Sequence, residues 1–199
     1  AMPLAIIITF LLCLLLATFP ALAGGLFARY QTRAKPASSI QPALLFAGIW
    51  TLNEWLRGTM FTGFPWLAVG YSQSPPSPLA GWGGVLGVYG ISGLVALIAS
   101  LSAVLIARRG KSLMAWLIIA FILASGAVLR HMEWTQPIGK PITVSLLQGN
   151  VPQSLKWDPN RLALSIDTYT WLAQQHPAAL TVLPETALPL MFNEVPLDI

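Results

Sequence analysis

The chain has 199 residues, of which 55% are hydrophobic and only 9% charged, whereas soluble domains carry about 25% charged residues. Its mean hydropathy is +0.68, which excludes an ordinary soluble domain and points to a membrane protein. A formal net charge of +4 raises the question of nucleic acid, and a single cysteine, Cys13, excludes an internal disulfide or a thiolate metal cluster.

Charge-free runs set the organisation of the first two thirds. Pro3–Leu22, Val88–Ala107 and Ser112–Leu129 contain no Asp, Glu, Lys or Arg. At ~1.5 Å per helical residue, each crosses most or all of a ~30 Å hydrocarbon layer. A shorter run, Ile40–Leu56, carries Asn53 and Glu54 near one end. It reads as a span whose end reaches the headgroups, with Trp50 and Trp55 as interfacial anchors and Glu54 as a headgroup contact or a local partner of Arg57. The expectation is a helical membrane domain over residues 1–129 with spans at about 3–22, 40–56, 88–107 and 112–129. Leu4–Leu16 followed by Ala21-Leu22-Ala23 also resembles a signal peptide, but the positive charges follow the apolar run instead of preceding it. A span within a piece of a longer protein is favoured. Cys13 falls mid-span and reads as a small packing residue, not a nucleophile.

The basic residues explain the net charge. Arg29, Arg33 and Lys35 separate the first two spans, and Arg108, Arg109 and Lys111 separate the last two. Gly58–Gly87 contains neither Lys nor Arg. Basic residues on alternate loops follow the positive-inside rule, so residues after Leu129 are expected on the outer side. No nucleic-acid partner is expected. The outer loop interleaves aromatics with Gly and Pro, notably Phe64, Trp66 and Tyr71. It reads as an aromatic belt or as a platform facing lipid.

Residues 130–141 form a linker, after which the pattern changes. Ile142–Gln148 is β-branched and apolar, a buried strand broken by Gly149-Asn150-Val151-Pro152. Asp158-Pro159 offers a helix cap, and Leu162, Ile166, Tyr169 and Leu172 mark one helical face. Leu180–Leu183 is a second strand, so strand–helix–strand predicts a parallel crossover. Pro184 ends that strand and Glu185 follows at its carboxyl end, where open α/β sheets place their chemistry. A lone Glu after a proline is more often a surface turn; its neighbours argue for more.

Three segments together resemble the bacterial apolipoprotein N-acyltransferase family. They are Asn53-Glu-Trp-Leu-Arg-Gly58 with Thr62-Gly-Phe-Pro-Trp66 and Gly70-Tyr-Ser-Gln73, then Val144–Asp158, then Leu183-Pro-Glu-Thr-Ala-Leu-Pro189. The Gln-Gly-Asn-Val-Pro-Gln-Ser-Leu-Lys-Trp run at 148–157 is the most specific. The resemblance implies a multi-span α-helical membrane domain followed, from residue 142 to 199, by the start of a nitrilase-like α/β domain. It implies a location in the bacterial inner membrane, with that domain on the periplasmic side. The implied reaction moves an acyl chain from a phospholipid to the N-terminal amine of a diacylglyceryl-cysteine apolipoprotein, through a thioester on a Glu-Lys-Cys triad and without cofactor or metal.

By motif, Glu185 matches the triad's general base, and Trp157, with Gln148 and Asn150, would lie near substrate. The triad lysine and cysteine are expected beyond Ile199, since Lys140 and Lys156 precede the glutamate, so the 199-residue chain alone is expected to be inactive and monomeric. The alternatives are a membrane-tethered carbon–nitrogen hydrolase, which would not need an aromatic lipid-facing loop, and a transport or scaffold protein. Almost no charge lies within the spans, which argues against transport.

Overall fold

The computed structural model describes residues 2–33, 38, 40–151, 162–185 and 187, and divides the chain into two compact units, 1–135 and 136–199. The first unit is helical. α1 spans Met2–Arg33, α2 Gln41–Thr59, α3 Gly83–Ala107 and α4 Leu113–Leu129, with short 3-10 turns at Met60–Thr62, Val69–Gln73 and Pro78–Trp82 between α2 and α3. Two helical stretches, Met2–Arg33 and Pro78–Ala107, are long and apolar enough to cross a membrane, while Leu113–Leu129 is a shorter apolar helix. α2 falls outside that description because Asn53, Glu54 and Arg57 interrupt its apolar run.

α1 is longer than the charge-free run that announces it. It continues past Leu22 to Arg33, since nothing after Gly25 breaks a helix. Most of its surface is exposed, and Ala23 is its one buried residue among those described. Phe27 meets Phe46 edge-on at 5.2 Å, which joins α1 to α2. α2 packs on α3, and α3 on α4, in chain order.

Where the helices meet, the buried positions are Ala, Leu and Ile. Ala43, Leu101, Leu105 and Ala115 form one buried cluster, and Leu79, Ile91 and Ile122 another. Ser100 Oγ lies within hydrogen-bond reach of the Ala43 carbonyl across the helix contact and, more closely, of the Ala96 and Leu97 carbonyls in its own helix. α3 begins five residues ahead of Val88, and Gly87 breaks its geometry at φ 64° and ψ −175°, a region essentially restricted to glycine. Gly81 packs so closely on Gly126 that a Cβ would collide with that carbonyl oxygen.

The second unit is a parallel pair with one helix. β1, Val144–Leu146, pairs with β2, Leu180–Val182, in the register Val144↔Leu180 to Leu146↔Val182, and α5 spans Leu162–Gln175 between them. Leu147, Tyr169 and Ala187 form its core, with Leu172 and Val151 packed around them. The strands are shorter and more open than the sequence implies. Val144, Leu146, Val182 and Leu183 are all exposed; one helix can cover only one face of a two-stranded sheet. The expected cap at Asp158-Pro159 lies outside the described residues.

Candidate functional site

In the second unit, parallel pairing places both strand ends at one edge of the sheet. The Leu147 N–H donates to the Val182 carbonyl at 3.0 Å. Residues leaving β1, Gln148 to Asn150, therefore emerge beside those leaving β2, Leu183 to Glu185. Pro184 cannot donate to a ladder. A turn follows at once, closed by the Ala187 N–H on the Pro184 carbonyl at 3.1 Å. Glu185 sits in that turn, exposed at the sheet's carboxyl edge.

Gln148 Nε2 donates to Asn150 Oδ1 at 3.2 Å, which ties the two polar side chains together. Asn150 adopts φ 52°, a left-handed conformation that asparagine tolerates better than most residues. Gly149 between them is pressed by the Tyr169 ring, which a Cβ would meet at 2.9 Å. The core residue Tyr169 thus fixes the shape of the strand end that carries the polar pair. Trp157 and Lys156 lie outside the described residues.

In the helical unit, the motif Asn53–Gly58 turns out to be wiring for the loop that follows it. Glu54 is 3% exposed. Its Oε1 accepts from Trp50 Nε1 at 3.2 Å and from the Val69 N–H at 3.0 Å, while Oε2 is buried with no hydrogen-bond partner among the described residues. This corrects the reading of Glu54 as a headgroup contact or a partner of Arg57. Arg57 instead donates from Nη1 to the carbonyls of Phe64, at 3.0 Å, and Trp66, at 2.6 Å.

A third tie comes from α3. Ser92, fully buried, accepts from the Gly70 N–H at 2.8 Å. Gly70 has no room for a Cβ, which would strike the Val88 carbonyl. The backbone of residues 64–70 is thus held from two helices, with Ala68 buried and the side chains of Trp66 and Leu67 pointing out. Trp66 is 69% exposed, Leu67 87% and Tyr71 57%, whereas Phe64 is half-buried. Beneath Gly70 and Tyr71 lies a cavity of about 250 Å³, lined also by Ala80, Gly83, Val88 and Ile91.

The sequence pointed to the aromatic loop but not to Ser92 or to the role of Glu54. An acidic residue in a mostly apolar segment was the available signal, because such groups are costly there unless they are paired and used. Cys13 lies on the exposed surface of α1, which corrects its reading as a packing residue; the helix turns that face away from the other described helices.

Residues 1–101 match the family model for the apolipoprotein N-acyltransferase N-terminal domain. The chain is 47% identical over 195 residues to the apolipoprotein N-acyltransferase of Nitrosomonas europaea, covering 98% of this chain and 38% of that protein. It is 46% identical over 187 residues to that of Chromobacterium violaceum, covering 93% of this chain and 36% of that protein. With the Ralstonia nicotianae enzyme it shares 42% identity over 184 residues, 92% of this chain and 35% of that one. The chain belongs to the apolipoprotein N-acyltransferase family, and it spans a little over a third of the length of these relatives.

Proposed function

We propose that this member of the family forms part of a membrane enzyme that transfers an acyl chain from a phospholipid to the N-terminal amine of an apolipoprotein. The observation that carries the reading is alignment over nearly the whole chain with proteins named for that activity, including 47% identity over 195 residues. The surface chemistry of the helical unit suits a lipid donor. A loop held rigidly from within exposes Trp66, Leu67 and Tyr71, and amphipathic aromatics favour the membrane–water interface.

In this reading all four long helices span the bacterial inner membrane. The basic loops around Arg33 and Arg109 face the cytoplasm, and the aromatic loop and the α/β unit face outward. The α/β unit is the beginning of a nitrilase-like domain, and Glu185 is the general base of its Glu-Lys-Cys triad. Glu185 takes the proton of a cysteine thiol as sulfur attacks the phospholipid's ester carbonyl. The ester C–O bond breaks, the lysolipid leaves with a proton, and an acyl thioester remains. The acceptor amine then attacks the thioester, its C–S bond breaks, and the thiol is restored as an amide forms. Gln148 and Asn150 contact substrate at that sheet edge, and Trp157 is a further substrate contact.

The experiment is to incubate the full-length protein with a phospholipid carrying a radiolabelled acyl chain and no acceptor. Label should become bound to the protein and be released by neutral hydroxylamine, as a thioester is. Absence of protein-bound label, with label nonetheless reaching an added acceptor, would rule the covalent route out.

A further inference from the structure

We infer that Glu54 is a positioning residue for the lipid donor: from inside the helical unit it fixes the loop that exposes Trp66, Leu67 and Tyr71. The inference rests on the phospholipid reading above and assigns that reading a residue remote from the acyl-transfer chemistry.

A carboxylate at 3% exposure in a helix that packs on two others is costly, and it persists where hydrogen bonds hold it. Glu54 receives two, both on Oε1. The Trp50 bond is local, one helical turn away. The Val69 bond spans 15 residues and is the one that does structural work on the loop. Arg57 from α2 and Ser92 from α3 hold the neighbouring backbone at Phe64, Trp66 and Gly70. Anchors therefore flank Leu67 on both sides.

That geometry explains a feature otherwise hard to place. Leu67 has φ 61°, a left-handed conformation that a leucine rarely adopts, and its side chain is 87% exposed. No packing of its own holds it there. Such strain persists only where the surroundings over-determine it, and here carbonyl anchors before Leu67 and N–H anchors after it do so. The result drives a leucine outward between Trp66 and Tyr71, into the position expected of a group that meets acyl chains.

The test uses the full-length protein with a ketone-bearing unnatural amino acid at Leu67, coupled to a nitroxide so that thiols are untouched. A second label position, exposed Ile106 on α3, reports on the fold. Glu54→Leu removes the acceptor. Glu54→Gln keeps an acceptor oxygen for both N–H groups. Val69→Pro removes the loop's donor alone. Proline suits that site because Ala68 is extended at ψ 136° and Val69 begins a 3-10 turn.

Glu54→Leu and Val69→Pro should each mobilise the Leu67 label but not the Ile106 label. In unlabelled protein they should raise the KM for phospholipid about tenfold, the effect of one lost buried hydrogen bond, with kcat nearly unchanged. Glu54→Gln should keep the Leu67 label immobile. If Glu54→Leu mobilises both labels, Val69→Pro decides. An immobile Leu67 label in Val69→Pro, or a fall in kcat with KM unmoved, would overturn the assignment. The label readout does not depend on turnover, so a protein that does not use phospholipid fails only in the kinetic arm.

Discussion

Glu185→Gln is expected to lower acyl transfer by the full-length protein about 10²–10⁴-fold, the usual contribution of a general base. The amide has nearly the shape of the carboxylate but cannot take up a thiol proton. Glu185 is exposed in a turn after β2, so folding should be little affected, within about 0.5 kcal/mol for a surface substitution. Single-turnover measurement of label transfer from phospholipid to protein isolates the step in which the base acts. Unfolding temperature should match the parent while that rate collapses. A rate within twofold of the parent would remove Glu185 from the mechanism.

The second large effect is expected at Arg57. Arg57→Met should reduce acyl transfer by about 10–10²-fold, since the charged-donor bond to the part-buried Phe64 carbonyl is worth about 1.5–3 kcal/mol and the exposed one to Trp66 adds less. The guanidinium's Nη1 reaches the part-buried Phe64 carbonyl and the more exposed Trp66 carbonyl, and a methionine would leave both without this donor. Arg57→Lys should recover only part of the loss, because the ammonium ends on a shorter, more flexible stem without the guanidinium's fixed geometry. The decisive comparison is between rate and membrane insertion: insertion should be unchanged in both variants. A rate for Arg57→Met equal to the parent would show that the loop's exact placement does not matter.

Much of the helical unit was legible because apolar run length is a direct consequence of bilayer thickness. Val88–Ala107 falls within α3, and Ser112–Leu129 matches α4 apart from Ser112, which precedes its first residue. The boundaries were less legible, as charge content marks where a helix meets water, not where it stops. α1 runs on through Arg29 to Arg33 for that reason. The parallel β1–β2 pair followed from a strand–helix–strand pattern, and the register confirms the pairing direction.

The wiring of the aromatic loop was not legible. The bonds Glu54–Val69 and Ser92–Gly70 join residues 15 and 22 apart, and no local pattern encodes them. Glu54 was read from its neighbours as an interfacial group, whereas it is buried and accepts from Val69, 15 residues away, as well as from Trp50 one helical turn back. The strands were read as buried because their residues are apolar, yet burial depends on what covers the sheet. Within the described residues α5 covers one side only, so Leu146 remains 77% exposed.

The most direct test of N-acyl transfer follows the acyl group itself. Full-length protein in phospholipid vesicles, given a labelled acyl donor and a diacylglyceryl-cysteine peptide, should place the label in an amide on the peptide's N-terminal amine. Label recovered instead as free fatty acid, at the same rate with and without the peptide, would contradict the account and point to a hydrolase.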